Sequence, residues 1–179
     1  MRARDHLYVV AAALIAPAQT AEAIEVLRTV PAGRSPRFHW RNEREPTRLR
    51  MLEAIRDLGL VSIATCYLAD RARWGERGRV KSLGRLLWEL RELGVAEMIL
   101  ERRNEADDAK DRKLIARAQR RQEAPAAMTY RFERPYDHPL LWVPDAVAGA
   151  VAHSFADGVD RYLDHLGVAR PTIIDVGLF

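Results

Sequence analysis

The run Leu140-Leu-Trp-Val-Pro-Asp-Ala-Val-Ala-Gly-Ala-Val151 constrains the fold more than any other stretch of the chain. Bulky Leu140, Leu141 and Trp142 precede a single carboxylate, Asp145, and small Ala146, Ala148, Gly149 and Ala150 follow it. A helix with so small a surface can lie close against a sheet, which would hold the carboxylate at the sheet's edge. Asp145 has two readings from this pattern alone. The first turn of a helix has free N–H groups and favours negative charge, so the aspartate could be only a cap. At a sheet edge beside apolar bulk it is also placed to build a site.

Strand and helix signals alternate through the rest of the chain. The apolar stretch Leu7–Ile15 reads as a strand, and Thr20 as the N-cap of a helix running to Val30. Residues Pro31 to Pro36 form a loop leading into the short segment Arg37-Phe-His-Trp40. Leu49, Leu52, Ile55 and Leu58 recur at helical spacing and Gly59 ends that helix. Leu60–Leu68 is the next strand, and Arg71–Gly78 is a charged connection. Val80, Leu83, Leu86, Leu87, Leu90 and Leu93 give the clearest amphipathic helix, closed by Gly94. Val95–Leu100 reads as a strand, Glu105–Arg121 as a polar helix and Ala127–Phe132 as a strand. Asp145–Leu166 reads as one long helix, and Thr172–Val176 as a last strand. Alternation of this kind predicts an α/β domain with a mixed central sheet flanked by helices. No repeat or linker divides residues 1–179, so one domain is expected.

Net charge is +4, with 29 basic and 25 acidic residues, a modest basic excess carried almost wholly by arginine. Arginine suits phosphate because its planar fork donates two hydrogen bonds at once, which makes nucleic acid a candidate partner. Cys66 is the single cysteine and lies in the apolar run Val61–Leu68, where an inert buried thiol is expected. No cysteine and histidine cluster has zinc spacing, no Gly-x-Ser-x-Gly elbow occurs, and no phosphate-cradling glycine loop is present. Nucleophilic hydrolases and P-loop enzymes are therefore not expected. The start of the chain has the outline of a signal peptide, but Asp5 and His6 dilute its basic head and the segment from Pro17 to Val30 reads as a turn entering a helix. Ten apolar residues are too few for a bilayer, which takes about 20. A cytoplasmic protein with no membrane partner is expected.

The acids with the best claim to chemistry lie at strand ends or helix starts. Glu101 closes the strand Met98-Ile-Leu100, and a carboxylate at the C-terminal edge of an α/β sheet is well placed for metal or substrate. Pairing with Arg102 and Arg103 in solvent is its alternative reading. Glu43 and Glu45 follow Phe38-His39-Trp40, with surface pairing to Arg41, Arg44 or Arg48 as the competing explanation. Asp107, Asp108 and Asp111 open a helix, where acids are expected for electrostatic reasons alone. His39 lies between two aromatics close in sequence to Glu43, as a packed histidine or a site residue. His153 and His165 read as structural.

These residues carry a resemblance. Leu-Trp-Val-Pro-Asp145-Ala-Val-Ala-Gly149 resembles the final helix motif of the domain of unknown function 3800 family, part of the RNase H-like superfamily. Met98-Ile-Leu-Glu101 is similar to its acidic strand, and Phe38-His39-Trp40 to its short segment ending in a basic residue. Members typically begin with a strand reading Asp-Glu-Ser; here Met1-Arg-Ala-Arg-Asp5 stands where the turn after that strand would be, so the resemblance makes Leu7–Ile15 the second strand and implies either a start further upstream or a lost first strand. Arg37 also stands where the family often has glutamate, leaving Glu43 as a substitute.

The resemblance implies an RNase H-like fold and a metal-dependent nuclease, with Glu43, Glu101 and Asp145 holding Mg²⁺ or Mn²⁺ and His39 beside them. It also implies phosphate contacts from Arg41, Arg102 and Arg103. Such enzymes hold two ions about 3.5–4 Å apart on a carboxylate cluster. Without the first-strand aspartate, weak metal binding and poor or absent cleavage are expected. A non-catalytic nucleic-acid-binding or protein-interaction domain on the same fold is the alternative.

Overall fold

The computed structural model describes residues 7–31, 37–68, 75–158 and 160–177. Most of the expected loop at 31–36 and the first half of the connection at 71–78 lie outside the described residues. The strands are β1 (Leu7–Leu14), β2 (Val61–Leu68), β3 (Glu97–Glu101), β4 (Thr129–Glu133) and β5 (Thr172–Asp175). The helices are α1 (Thr20–Arg28), α2 (Glu45–Asp57), α3 (Gly75–Glu92), α4 (Glu105–Arg120), α5 (Trp142–Asp157) and α6 (Arg161–Leu166). Short 3₁₀ turns fall at Pro17–Gln19, Trp40–Asn42, Pro139–Leu141 and Gly167–Ala169. The protein is a mixed α/β fold, as its alternation of signals predicts.

The strands form two sheets. β1 pairs antiparallel with β2, Leu7 opposite Leu68 and Leu14 opposite Val61, and β2 pairs in parallel with β5. β3 and β4 form a separate parallel pair, with Glu97 opposite Thr129 and Glu101 opposite Glu133. The period-2 geometry of a strand sends alternate side chains to opposite faces. Leu7, Val9, Ala11 and Ala13 of β1 accordingly join the main core with α2, α5 and α6, while Tyr8, Val10, Ala12 and Leu14 join Leu86 and Leu90 of α3. Helix α3 extends beneath both sheets, because its Leu83 and Leu87 pack with Leu100 of β3, Phe132 of β4 and Ile115 of α4. The spacing of Leu83, Leu86, Leu87 and Leu90 is one helical face. Burying each such side chain stabilises the fold by about 1.5–3 kcal/mol, so this stripe is what ties the two sheets together.

Helix ends follow local chemistry. Gly59 (φ 63°) ends α2 in a left-handed turn, in which Leu60 N–H donates to Ile55 C=O and Gly59 N–H to Arg56 C=O. Gly94 does the same for α3, through Val95 N–H to Leu90 C=O and Gly94 N–H to Arg91 C=O. The same pair of bonds ends α4, but its left-handed residue is Gln122 (φ 58°). Asn104 caps the start of α4 by accepting the Asp107 N–H at 2.9 Å.

Three expectations need correction. The long C-terminal helix is two helices, because Gly158 takes φ 66° and closes α5 before α6 begins. Thr20 lies inside α1 instead of capping it: Gln19 holds the cap position, and the Thr20 hydroxyl donates back to Ala16 C=O. Gly75–Gly78, expected in the connection, is the first turn of α3.

A left-handed conformation costs an L-residue about 1–2 kcal/mol, of which glycine's greater unfolded-state freedom returns part. Gln122→Gly should therefore raise stability by about 1 kcal/mol, read as a higher urea midpoint at unchanged m-value.

Candidate functional site

Asp145 sits in the first turn of α5, whose N-cap is Leu141. Its carboxylate does not cap its own helix in the expected manner. Oδ2 accepts the backbone N–H of Trp40 at 2.8 Å and lies 3.1 Å from Nδ1 of His39. An ionised carboxylate can only accept, so Nδ1 carries a proton in this contact.

One turn further along α5, Gly149 leaves room for the Trp40 ring; a Cβ there would stand 2.2 Å from the indole. One turn beyond that, His153 Nδ1 donates to Gly149 C=O at 3.0 Å and its ring meets the indole edge-on at 5.6 Å. Residues 145, 149 and 153 thus form one i, i+4, i+8 stripe that holds Trp40 by its backbone and by the face and edge of its ring. Tyr162 meets the ring edge-on at 5.0 Å, and Arg48 stacks its guanidinium 4.9 Å from the ring centre while donating to Trp40 C=O at 2.9 Å. This clasp fixes the segment that presents His39.

Glu101 reaches the same place from the C-terminal end of β3. Arg37, Phe38, His39, Glu101, Pro135, Leu141, Trp142 and Asp145 line one cleft of about 100 Å³. That is below the size of sites enclosing whole small molecules, about 300–1,000 Å³, but it admits several waters or the oxygens of a phosphate. The Glu101 residue is exposed at the rim, while its carboxyl group faces the cleft. Desolvation first, and the Asp145 charge second, push its pKa above the usual glutamate value, against the pull of His39, Arg37 and Arg79. Two carboxylates facing each other in a half-buried cleft are therefore in electrostatic conflict.

The other candidates fall elsewhere. Glu43 is not among the cleft-lining residues: the single 3₁₀ turn Trp40–Asn42 separates it from His39, and its N–H donates to Trp40 C=O. Among the described residues no group of three or more histidine, cysteine, aspartate or glutamate side chains could hold a metal ion. Arg103 is taken up by the fold, donating to the Asp107 carbonyl and to Asp111, while its N–H is accepted by Asp108. Asp111 is 2% exposed at its side chain and also receives Arg79 through two bonds, of 2.6 and 3.2 Å. Arg102 donates to Phe132 C=O at 3.0 Å, and Arg41 is exposed on its turn. Arg37 is the cation that lines the cleft, one position from Phe38, and its place beside His39 was the signal for it. Cys66 is fully buried, and desolvation followed by the Asp175 charge pushes its thiol up to about 12, which leaves it unreactive. No described helix is long and apolar enough to cross a membrane.

The sequence matches no protein-family model, and neither a curated protein nor a solved structure matches it.

Two substitutions test this geometry. Gly149→Ala forces a methyl group into the Trp40 ring and should cost about 1–3 kcal/mol. Gly84→Ala on α3, where a Cβ meets open space, should raise stability by about 0.5–1 kcal/mol. Both are read by chemical denaturation. A raised carboxyl pKa means that the folded state binds the proton more tightly, so ionising Glu101 costs stability as pH rises through its folded pKa. Glu101→Gln should thus melt higher than wild type at neutral pH, and the difference should close as pH falls through the ordinary glutamate range.

Proposed function

We propose that this chain is an RNase H-like domain that takes the phosphodiester backbone of a nucleic acid at the His39–Glu101–Asp145 cleft and hydrolyses it weakly. The observation that carries the reading is the convergence of Glu101, from the end of β3, with Asp145 and His39, from α5 and the segment clasped on it. The cleft's size suits a phosphate, and Arg37 on its wall supplies positive charge for one.

A three-acid, two-ion arrangement does not fit the described residues, because Glu43 stays away from the cleft. One hard divalent ion does fit. Mg²⁺ commonly binds through one or two carboxylates together with waters and substrate phosphate. The conflict between Glu101 and Asp145 is also the electrostatic setting a cation relieves. Glu101 and Asp145 would hold Mg²⁺ or Mn²⁺, which when bound polarises a phosphoryl oxygen and acidifies a water.

The chain's own groups do the rest. Arg37 orients the phosphate. Without the ion, Glu101 is suited by its raised pKa to accept a proton from an attacking water; as a ligand it would leave that role to His39. His39, fixed by Asp145 with its proton on Nδ1, offers Nε2 as a second proton acceptor or, once charged, as a donor to the leaving oxygen. Asp145 Oδ2 is committed to Trp40 and His39 and acts as a positioning group at that atom.

That commitment also favours a second reading, a binding domain without catalysis. Cleavage of labelled DNA, RNA and hybrid duplexes with Mg²⁺ or Mn²⁺ separates the two. Under the first reading wild type cuts one of these substrates, and Glu101→Gln lowers the rate by about 100-fold or more. Cutting that survives both Glu101→Gln and Asp145→Asn would sink the site. Salt-sensitive binding without cutting would establish the second reading.

A further inference from the structure

Helix α4 divides its charge along its length. Its acids, Glu105, Asp107, Asp108 and Asp111, all lie in the first half, and Asp107 and Asp111 are paired with Arg103, Lys110 and Arg79. From Arg112 to Gln122 the chain holds five cations, Arg112, Lys113, Arg117, Arg120 and Arg121, and no acid. All of these cations are exposed. Arg112 lies over the Phe132 ring at 4.9 Å, and Arg121 stands 3.9 Å from Glu123. Lys113, Arg117 and Arg120 form no ion pair among the described residues.

The opposite side of the helix is fixed in place. Ile115 and Ala118 are buried with Leu83, Leu87 and Phe132, and Gln119 donates to the Pro125 and Met128 carbonyls. The cations are therefore held outward. Cations near a helix C-terminus complement its dipole, but that effect fades within the last turn, and Arg112 and Lys113 lie two turns before the end of α4. Helix residues three and four apart are neighbours about 5–6 Å from each other, so Lys113, Arg117 and Arg120 form a continuous row with Arg112 beside it. The helix rises about 12 Å from Arg112 to Arg120. Over that length each strand of a nucleic-acid duplex carries about three or four phosphates.

We propose that this face of α4 binds the phosphodiester backbone of a double-stranded nucleic acid without reading its sequence. The arginine fork matches phosphate oxygens, and a basic stripe along a helix is the charge pattern such a backbone demands. Other polyanions fit less well. A helix that lies on a membrane must insert its apolar face, and the apolar side of α4 is spent in the core. A protein interface is centred on large apolar or aromatic anchors, whereas small Ala116 is what sits among these cations. Unstacked single strands need an aromatic platform, which residues 112–122 lack. The surface is also separate from the cleft. Alternate residues of β3 point to opposite faces, and Leu100 packs with Ile115 of α4 while Glu101 lines the cleft. The proposal deepens the nucleic-acid reading and rests on that class of ligand, not on hydrolysis.

Fluorescence anisotropy of the full chain with short labelled DNA and RNA duplexes tests it, in EDTA so that nothing is cut. With about four phosphate contacts, log affinity should fall with log salt concentration at a slope of about −4. The double variant Lys113→Gln/Arg117→Gln should bring the slope to about −2 and weaken binding by about tenfold or more. The charge-conserving pair Lys113→Arg/Arg117→Lys should restore the slope. Arg77→Gln/Lys81→Gln, which removes the same charge from the exposed side of α3, should leave it unchanged. The tighter of the two duplexes identifies the ligand as DNA or RNA. Absence of salt-sensitive duplex binding would overturn the surface, and so would an equal loss from the α3 and α4 variants. Binding to phosphatidylserine vesicles or polyglutamate that excess duplex does not displace would give the face to a membrane or an acidic protein and overturn the nucleic acid. Binding is read here with the cleft idle, so an unchanged slope counts against the surface alone and absent cleavage against the cleft alone.

Discussion

The seating of Trp40 on α5 is the interaction on which the site depends. Phe38-His-Trp40 belongs to no strand or long helix, and without an anchor such a segment would sample many positions. The helix supplies three anchors one turn apart: a carboxylate for the backbone N–H, a missing side chain for the ring, and an imidazole packed edge-on against the indole. A buried N–H left without an acceptor costs about 1–3 kcal/mol, and a lost ring contact in a close-packed core costs at least as much. His39 is thereby held against Asp145 by packing that lies mostly outside the cleft. Small residues on α5 therefore serve two ends. They let the helix sit on β1, and they form the notch that aims the histidine.

Charge is divided in the same economical way. Asp111 is buried and meets two guanidinium groups, Arg79 and Arg103, an arrangement in which removing one partner would leave an uncompensated buried charge. That network anchors the start of α4 to α3 behind β3, and it takes Arg103 out of reach of a ligand. In the cleft the balance is the reverse. Two carboxylates meet the Arg37 wall and the His39 ring, and the like-charge conflict still leaves Glu101 raised. The fold thus neutralises one acidic cluster with two arginines and leaves the other, at the cleft, in conflict.

Much of this was readable from the sequence, for reasons that differ by element. Gly59 and Gly94 end α2 and α3 where local periodicity stops, and both the apolar spacing and the left-handed glycine are short-range signals. The stop at Gln122 has no such mark, because its left-handed turn is imposed by the bonds to Ala118 and Gln119. The break at Gly158 was hidden by Tyr162, Leu163 and Leu166, which continue an apolar helical spacing across it. Among site residues, Asp145, Glu101 and His39 could each be singled out by their apolar surroundings. Glu43 could not be placed, since nearness in sequence to His39 says little across a 3₁₀ turn. The clasp was out of reach, because nothing local connects a tryptophan at 40 with a glycine at 149. The family resemblance rests on these same local motifs. What the fold shows independently is a mixed α/β layer with acids at its rim.

The cleft draws its acids from two separate elements. β3 ends at Glu101, α5 begins near Asp145, and both line the same cleft. In an open α/β sheet, ligands collect beyond the carboxyl ends of strands, where connections part to opposite sides. Here one strand, β3, brings an acid to that position, and most of the remaining wall comes from the Arg37–His39 segment and the start of α5. The cleft's shape therefore depends on how α5 seats Trp40, so the packing of one tryptophan and the chemistry at Glu101 are one physical problem.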